Sequence, residues 1–363
     1  MGHVGTDDMR AAATLRYADD RHSLAGVRLV DDIHLPADGR DFTYDDNDAA
    51  WHLRLPSLPV LRLEYRLELH HADGGTEVIC DPANPRRAPG AFGDKSVLEL
   101  PGYRRPAWLN RHAVVAGRWH ELTVPSTALR AELPLRIWSP AIADPNAAPH
   151  GVLLAHDGGE YDRLAGIVQY SAAMIESGRL PRHHLVLLSP VERNEWYAAN
   201  PAYARALIDD VLPVVRTELD GGGPVVAVGA SLGALALLHA HCRYPYPFDA
   251  LFLQSGSFFQ DRFDAQESNF PWYGRIVRFV DELRRGAAAP VPTVLTCGIA
   301  EENLANNRDL AAVLREHDYP VRLVDVPDAH NFVAWRDAWH PHLADLAAQV
   351  WTAEKASLRR GGG

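Results

Sequence analysis

Two hydrophobic rhythms run along the chain, and the change between them falls near residue 116. In LRLEYRLEL, the positions Leu61, Leu63, Tyr65, Leu67 and Leu69 alternate with Arg62, Glu64, Arg66 and Glu68. That period of two predicts an antiparallel strand with one apolar face on a core and one charged face in water. HHADGG, which follows, has the composition of a hairpin turn, and TEVICDPANPRRAPGAFGDKSVLELPGYRRP alternates short strands with Pro/Gly loops. Residues 1–115 are therefore expected to form a small N-terminal β-sandwich of Ig-like or E-set-like type.

From about Gly117 the rhythm is different. HELTVPS and LPLRIWSP read as strands, and beyond the ADPNAAPH loop the apolar runs GVLLAHDG, HHLVLLSPV, PVVAVG, DALFLQSGS, PTVLTCG and VRLVDVPD alternate with helical segments. Strands alternating with helices predict an α/β domain with a doubly wound, mostly parallel sheet over residues 116–355. No internal repeat is visible, and residues 356–363, ending in RRGGG, are expected to be a disordered tail. Ligands of such sheets bind beyond the carboxyl ends of the strands, so the residues just after each strand carry the functional information.

Composition narrows the class. At 363 residues there is room for two domains, and the formal net charge of −11 argues against a general nucleic-acid or anionic-membrane surface. A small-molecule partner is expected, with no nucleic acid and no membrane. The first twenty residues lack a basic start followed by an apolar core, and no later run approaches a membrane span, which predicts a soluble cytoplasmic protein. Cys80, Cys242 and Cys297 have neither disulfide nor metal-ligand spacing and read as core residues. No metal and no cofactor are implied, and monomer or homodimer fit the composition equally.

The chemistry is carried by VVAVGASLGALALLHAH, where Gly229-Ala230-Ser231-Leu232-Gly233 matches the G-x-S-x-G nucleophile elbow between a buried strand and a helix. A serine that merely caps the helix is the alternative. A serine nucleophile needs a base, and the base needs a third group to orient it; in α/β-hydrolases these follow in the order serine, acid, histidine. His330, after the last apolar strand in VPDAHNF, is the expected base. Glu301, in CGIAEEN after the preceding strand, is the expected acid, with Glu302 and then Asp328 as alternatives. Two backbone N–H groups should stabilise the oxyanion: that of Leu232, and that of Gly159 in the His156-Asp157-Gly158-Gly159 loop, with Gly158 behind it. Together these predict a serine hydrolase acting through an acyl-enzyme.

The same segments resemble the enterochelin (ferric enterobactin) esterase family, within the esterase D-like branch of the α/β-hydrolases. The resemblance covers most of the chain, through DPANPR, GAFGDKSVLELPGYRRPAWL, HDGGEY, ERNEWYAANPAYARALIDDVLPVV, GASLG, CGIAEENLANNRDLAAVL and DAHNFVAWR. It implies an N-terminal sandwich packed beside the active site, Ser231 and His330 as nucleophile and base, and catecholate-siderophore lactones or similar esters as substrates. Ferric catecholates are strongly anionic, so cations are expected in the pocket. Arg104, Arg105 and Arg193 are the leading candidates, with Arg308 and Arg336 behind them. Trp335 is the leading aromatic, among Tyr103, Trp108, Trp196, Tyr197 and Phe332, for stacking on a catechol ring. The competing readings are a general carboxylesterase for small aryl or acyl esters and a non-catalytic ligand-binding module.

Overall fold

The computed structural model describes residues 13–361 apart from 32, 34–36, 111–115, 142–150, 222 and 287–288, with backbone alone at 37–38 and 353–361. The start of the chain, the ADPNAAPH loop, the last residues before a boundary at 115 and the final two glycines lie outside the described residues. The chain divides into two compact units. One runs to Arg104 and also takes in Gly298–Glu301 and Val326–Ala334; the other holds the rest. The short segments that carry Glu301 and His330 thus group with the N-terminal sheets.

The first unit contains β1 (Thr14–Ala18), β2 (Leu24–Asp31), β3 (Thr43–Asp45), β4 (Ala50–Arg54), β5 (Arg62–His71), β6 (Thr76–Ile79), β7 (Arg87–Ala88) and β8 (Lys95–Glu99). They form a three-stranded sheet ordered β1-β4-β3 and a second ordered β2-β5-β8-β7, with β6 paired to β5. Their pairings are antiparallel. Leu15, Trp51 and Leu53 from one sheet share a buried cluster with Leu29, Leu63, Tyr65 and Leu67 from the other, as two sheets packed face to face require. Ala300 and Ala329 belong to the same cluster. The alternation along β5 holds for its apolar residues. Its charged face departs from expectation, because Arg62 and Glu64 are buried as well.

The large sheet has eight strands: β9 (Gly117–Ser126), β10 (Ala131–Pro140), β11 (Val152–Ala155), β12 (His184–Leu188), β13 (Val225–Ala230), β14 (Ala250–Gln254), β15 (Thr293–Gly298) and β16 (Val321–Val326). Their spatial order is β16-β15-β14-β13-β11-β12-β10-β9. β9 and β10 form an antiparallel hairpin that also meets β12 antiparallel, while β12, β11, β13, β14 and β15 run parallel. Every residue of β11 through β15 is buried. Parallel strands need helical crossovers that cover both faces, so they read as continuous apolar runs. Among the helices, Tyr273–Arg285 turns Ile276, Phe279, Val280 and Leu283 inward, the spacing of an amphipathic helix.

The last helix extends from Trp339 to Gly361 with a break at His340. It takes in residues 356–361 of the segment expected as a tail, where Ala356, Leu358, Arg359 and Arg360 are good helix formers. Cys297 is buried, Cys242 is half-buried and packs against the hydrophobic core, and Cys80 is half-buried. Among the described residues no helix is long and apolar enough to cross a membrane.

Candidate active site

β13 delivers Ser231 to the start of the helix Leu232–Arg243 in a backbone conformation of φ 55°, ψ −126°. Positive φ at a residue with a Cβ is strained by about 1–3 kcal/mol and persists only where the surroundings hold it. Here Ser231 N–H donates to the Gln254 carbonyl at 2.8 Å, and its own carbonyl accepts from Ala234 at 3.1 Å, Leu235 at 3.2 Å and Ser257 at 3.2 Å. The side chain makes no capping hydrogen bond, which separates it from an ordinary helix-capping serine. Its Oγ lies 3.1 Å from Ser257 Oγ.

The flanking glycines allow strand and helix to cross closely. A Cβ on Gly229 would stand 2.7 Å from the Gly233 carbonyl carbon, and one on Gly233 would stand 3.2 Å from His156 Cβ. Gly229→Ala is therefore expected to destabilise the protein by about 1–3 kcal/mol, because its methyl would meet backbone atoms of Gly233, which cannot rotate away. Chemical denaturation of the purified variant checks this.

After β11 the chain turns through Asp157 at φ 49° into Gly158 and Gly159. A Cβ on Gly158 would lie 2.5 Å from Leu187 Cα, so the loop hugs β12 only with glycine there. His156 ties the loop to the elbow. It is fully buried, its Nδ1 lies 3.0 Å from the Gly233 carbonyl and its Nε2 lies 3.0 Å from the Tyr203 hydroxyl. Burial drives its pKa down to about 3, so the ring is neutral at ordinary pH. A carbonyl can only accept, which puts the proton on Nδ1 and makes Nε2 the acceptor for Tyr203. The ring also stacks on Tyr197 at 4.6 Å. Leu232 opens a helix whose first N–H groups have no acceptor within the helix, the usual source of one oxyanion donor.

Glu301 follows β15. Its Oε1 accepts from the Gly298 N–H at 2.7 Å, and its Oε2 accepts from His330 Nδ1 at 2.8 Å. The Glu301 side chain is 1% exposed and that of His330 34%. A carboxylate accepts only, so His330 carries its proton on Nδ1 and its Nε2 is the basic nitrogen. Of the alternatives, Glu302 is exposed and accepts from Gln266 at 3.2 Å. Asp328 is occupied by Arg62, Asn331 and the Ala329 N–H. Glu301 is thus the carboxylate on the histidine.

The expected substrate contacts divide. Arg104 and Arg105 are exposed, the former donating to the Tyr103 carbonyl at 3.1 Å. Arg193 grips Asp157 through both arms of its guanidinium, at 2.8 and 2.7 Å, so it braces the glycine loop. Arg308 pairs with Asp325 and Arg336 with Asp337. Trp335 is 7% exposed and donates its indole N–H to Ser255 at 3.0 Å. Trp108, Trp196 and Tyr197 are likewise buried, and Tyr103 and Phe332 half-buried. The pattern reading missed His156, Ser257, Arg62 and Asn331. Only the HDGG and SGS segments beside known strand ends hinted at the first two, and nothing local marked Arg62.

A doubly wound, mostly parallel sheet with a strained serine elbow after one central strand is the architecture of an α/β-hydrolase. Residues 126–346 match the family described as "Putative esterase", and the chain belongs to that family and is a carboxylic ester hydrolase. Among curated proteins it is 24% identical over 281 residues to the "Iron(III) enterobactin esterase" of Escherichia coli strain K12, covering 74% of this chain and 68% of that protein. The counterpart in E. coli O6:H1 matches at the same 24% identity, with the same 74% and 68% coverage. Among solved structures, ferric enterobactin esterase from Salmonella typhimurium superposes with a TM-score of 0.74 at 19% identity, covering 94% of this chain and 93% of the other. The enterobactin esterase from Shigella flexneri in the presence of enterobactin gives 0.70 at 18%, covering 94% and 92%. These likenesses extend the fold match across both parts of the chain.

Proposed function

We propose that the protein hydrolyses the ester bonds of catecholate siderophore lactones of the enterochelin type through an acyl-enzyme. Ser231 Oγ attacks the ester carbonyl carbon while its proton passes to His330 Nε2. Glu301 steadies the resulting imidazolium, and the N–H groups of Leu232 and Gly159 receive the oxyanion. Collapse expels the alcohol with the proton from His330, and water, activated by the same imidazole, releases the acid. The observation that carries this reading is the Ser231 backbone at φ 55°, a strain that capping would not need. The substrate class is supported by the names of the relatives and by the exposed pair Arg104 and Arg105, which suit an anionic catecholate. We also propose residues 1–115 and 116–355 as the two domains.

The test is a ratio of kcat/KM for a catechol trilactone, with and without iron, against p-nitrophenyl acetate. The trilactone is expected to be preferred by about a hundredfold or more, since contacts remote from the scissile bond orient a large substrate. Equal values, or a preference for the acetate, would select the general carboxylesterase reading. Failure of a fluorophosphonate probe to label Ser231 would instead favour a non-catalytic binding module.

A further inference from the structure

The loop that presents His330 is bracketed by two side chains fixed to one buried guanidinium. Arg62, on β5, is 2% exposed. Its Nε donates to Asp328 Oδ2 at 3.2 Å, and its Nη2 donates to Asn331 Oδ1 at 2.7 Å and to Glu64 Oε1 at 2.7 Å. Asp328 Oδ1 accepts from the Ala329 N–H at 2.8 Å and from Asn331 Nδ2 at 3.1 Å. Asn331 Oδ1 also accepts from the Ala334 N–H at 2.8 Å. Next to this cluster the Leu61 N–H donates to the Pro327 carbonyl at 2.8 Å, so backbone and side chains clamp the same short loop.

Such a cluster is costly. Burial pushes the Asp328 carboxyl up to about 6 against the pull of Arg62. Burial likewise opposes the charge on Arg62, but Asp328 and Glu64 outweigh it and hold the guanidinium's pKa above its ordinary value. The two upward shifts have different causes: desolvation disfavours the Asp328 carboxylate, while two carboxylates shared by Arg62 overcome the desolvation that opposes its charge. An apolar pair of similar volume would hold two segments together as well or better, so stability alone does not call for a buried arginine here. What a fork of donors adds is direction, fixing a loop backbone at two residues around the one between them.

We propose that Arg62 is a positioning residue for ester hydrolysis, setting through Asp328 and Asn331 where the His330 backbone sits. The inference rests on His330 being the base. Glu301 holds the imidazole by its Nδ1, and Arg62 holds the loop from which the ring projects; both are needed to aim Nε2. Loss of the second constraint leaves a histidine that is present, buried to the same extent and misaimed.

Three variants test this with p-nitrophenyl acetate, a substrate too small to depend on remote contacts. Arg62→Lys keeps one charge and loses the fork; Asn331→Ala leaves the Arg62–Asp328 pair and loses one of its two ties to the loop; Arg62→Met removes the device. Expected kcat losses are about tenfold for each of the first two and about a hundredfold for the third, the cost of misplacing a reacting group by roughly an ångström. KM should stay within twofold of wild type. Rates are taken per site titrated with a fluorophosphonate, so molecules that fail to fold are not counted. If Arg62→Met does not fold, the milder two decide. Wild-type kcat per titrated site in Arg62→Lys and Asn331→Ala overturns the inference, as does a loss that lies in the number of sites and not in their rate. A wild-type protein in which the probe leaves Ser231 unlabelled would overturn the serine-histidine reading itself, a different outcome read in the same experiment.

Discussion

Ser231→Ala is expected to lower kcat for any ester substrate by about a million-fold while leaving the melting temperature within a few degrees of wild type. The change removes one hydroxyl at a half-buried turn whose other hydrogen bonds are made by backbone atoms, so the elbow keeps its supports. Alanine retains the Cβ and with it the strain at φ 55°, so the variant gains no relief that would confuse the comparison. His330→Ala should behave alike, and the double variant should be no worse than either single one, because nucleophile and base act as a unit. Steady-state hydrolysis with differential scanning calorimetry checks both parts. Turnover within tenfold of wild type in Ser231→Ala would remove Ser231 from the mechanism.

Glu301→Gln is expected to cost on the order of a hundredfold to ten-thousandfold in kcat. The substitution keeps the size and the turn, but an amide facing His330 Nδ1 at 2.8 Å no longer offers a charge to the imidazolium, and its NH2 group favours the wrong tautomer. Glu302→Gln should change kcat by less than twofold, since that carboxylate is exposed and its partner is Gln266. Asp328→Asn gives a third comparison: its carboxylate serves Arg62 and the loop, so it should resemble Asn331→Ala and not Glu301→Gln. Equal sensitivity of the two glutamates would sink the assignment of Glu301 as the acid.

The strands β11 to β15 were legible because each is a largely apolar run, and burial on both faces favours that composition whatever the tertiary details. Ser231 was legible for a related reason. The elbow has local requirements, a glycine on each side where strand and helix cross, and these leave a five-residue signature. His330 and Glu301 were reachable through chain order alone, since each follows one of the last strands. Choosing Glu301 over Glu302 was a weighting that the residues could not decide, because adjacent carboxylates in a loop have the same local chemistry. The substrate-facing residues were the least legible. Arg193 and Trp335 are candidates for contacts with an anionic aromatic ligand by sequence, and the structure shows one paired with Asp157 and the other donating its N–H to Ser255. An arginine or a tryptophan near a strand end serves a ligand or a neighbour equally well, and the neighbour is set by folding.

By itself, the sequence determined what local periodicity and close backbone contact can encode: antiparallel strands ahead of a mostly parallel sheet, a serine on a strained turn, and a glycine loop after an early strand of that sheet. Only the tertiary structure decided which buried charges meet. Arg62 sits at an alternating position that reads as solvent-facing, and its partner Asp328 lies 266 positions further along. No short-range pattern marks such a pair, because a charge is buried only where a distant segment arrives to neutralise it. Glu301 and Glu302 differ in the same way. One turns inward to the Gly298 N–H and His330, the other outward to Gln266, and the backbone turn after β15, held by its neighbours, makes that distinction.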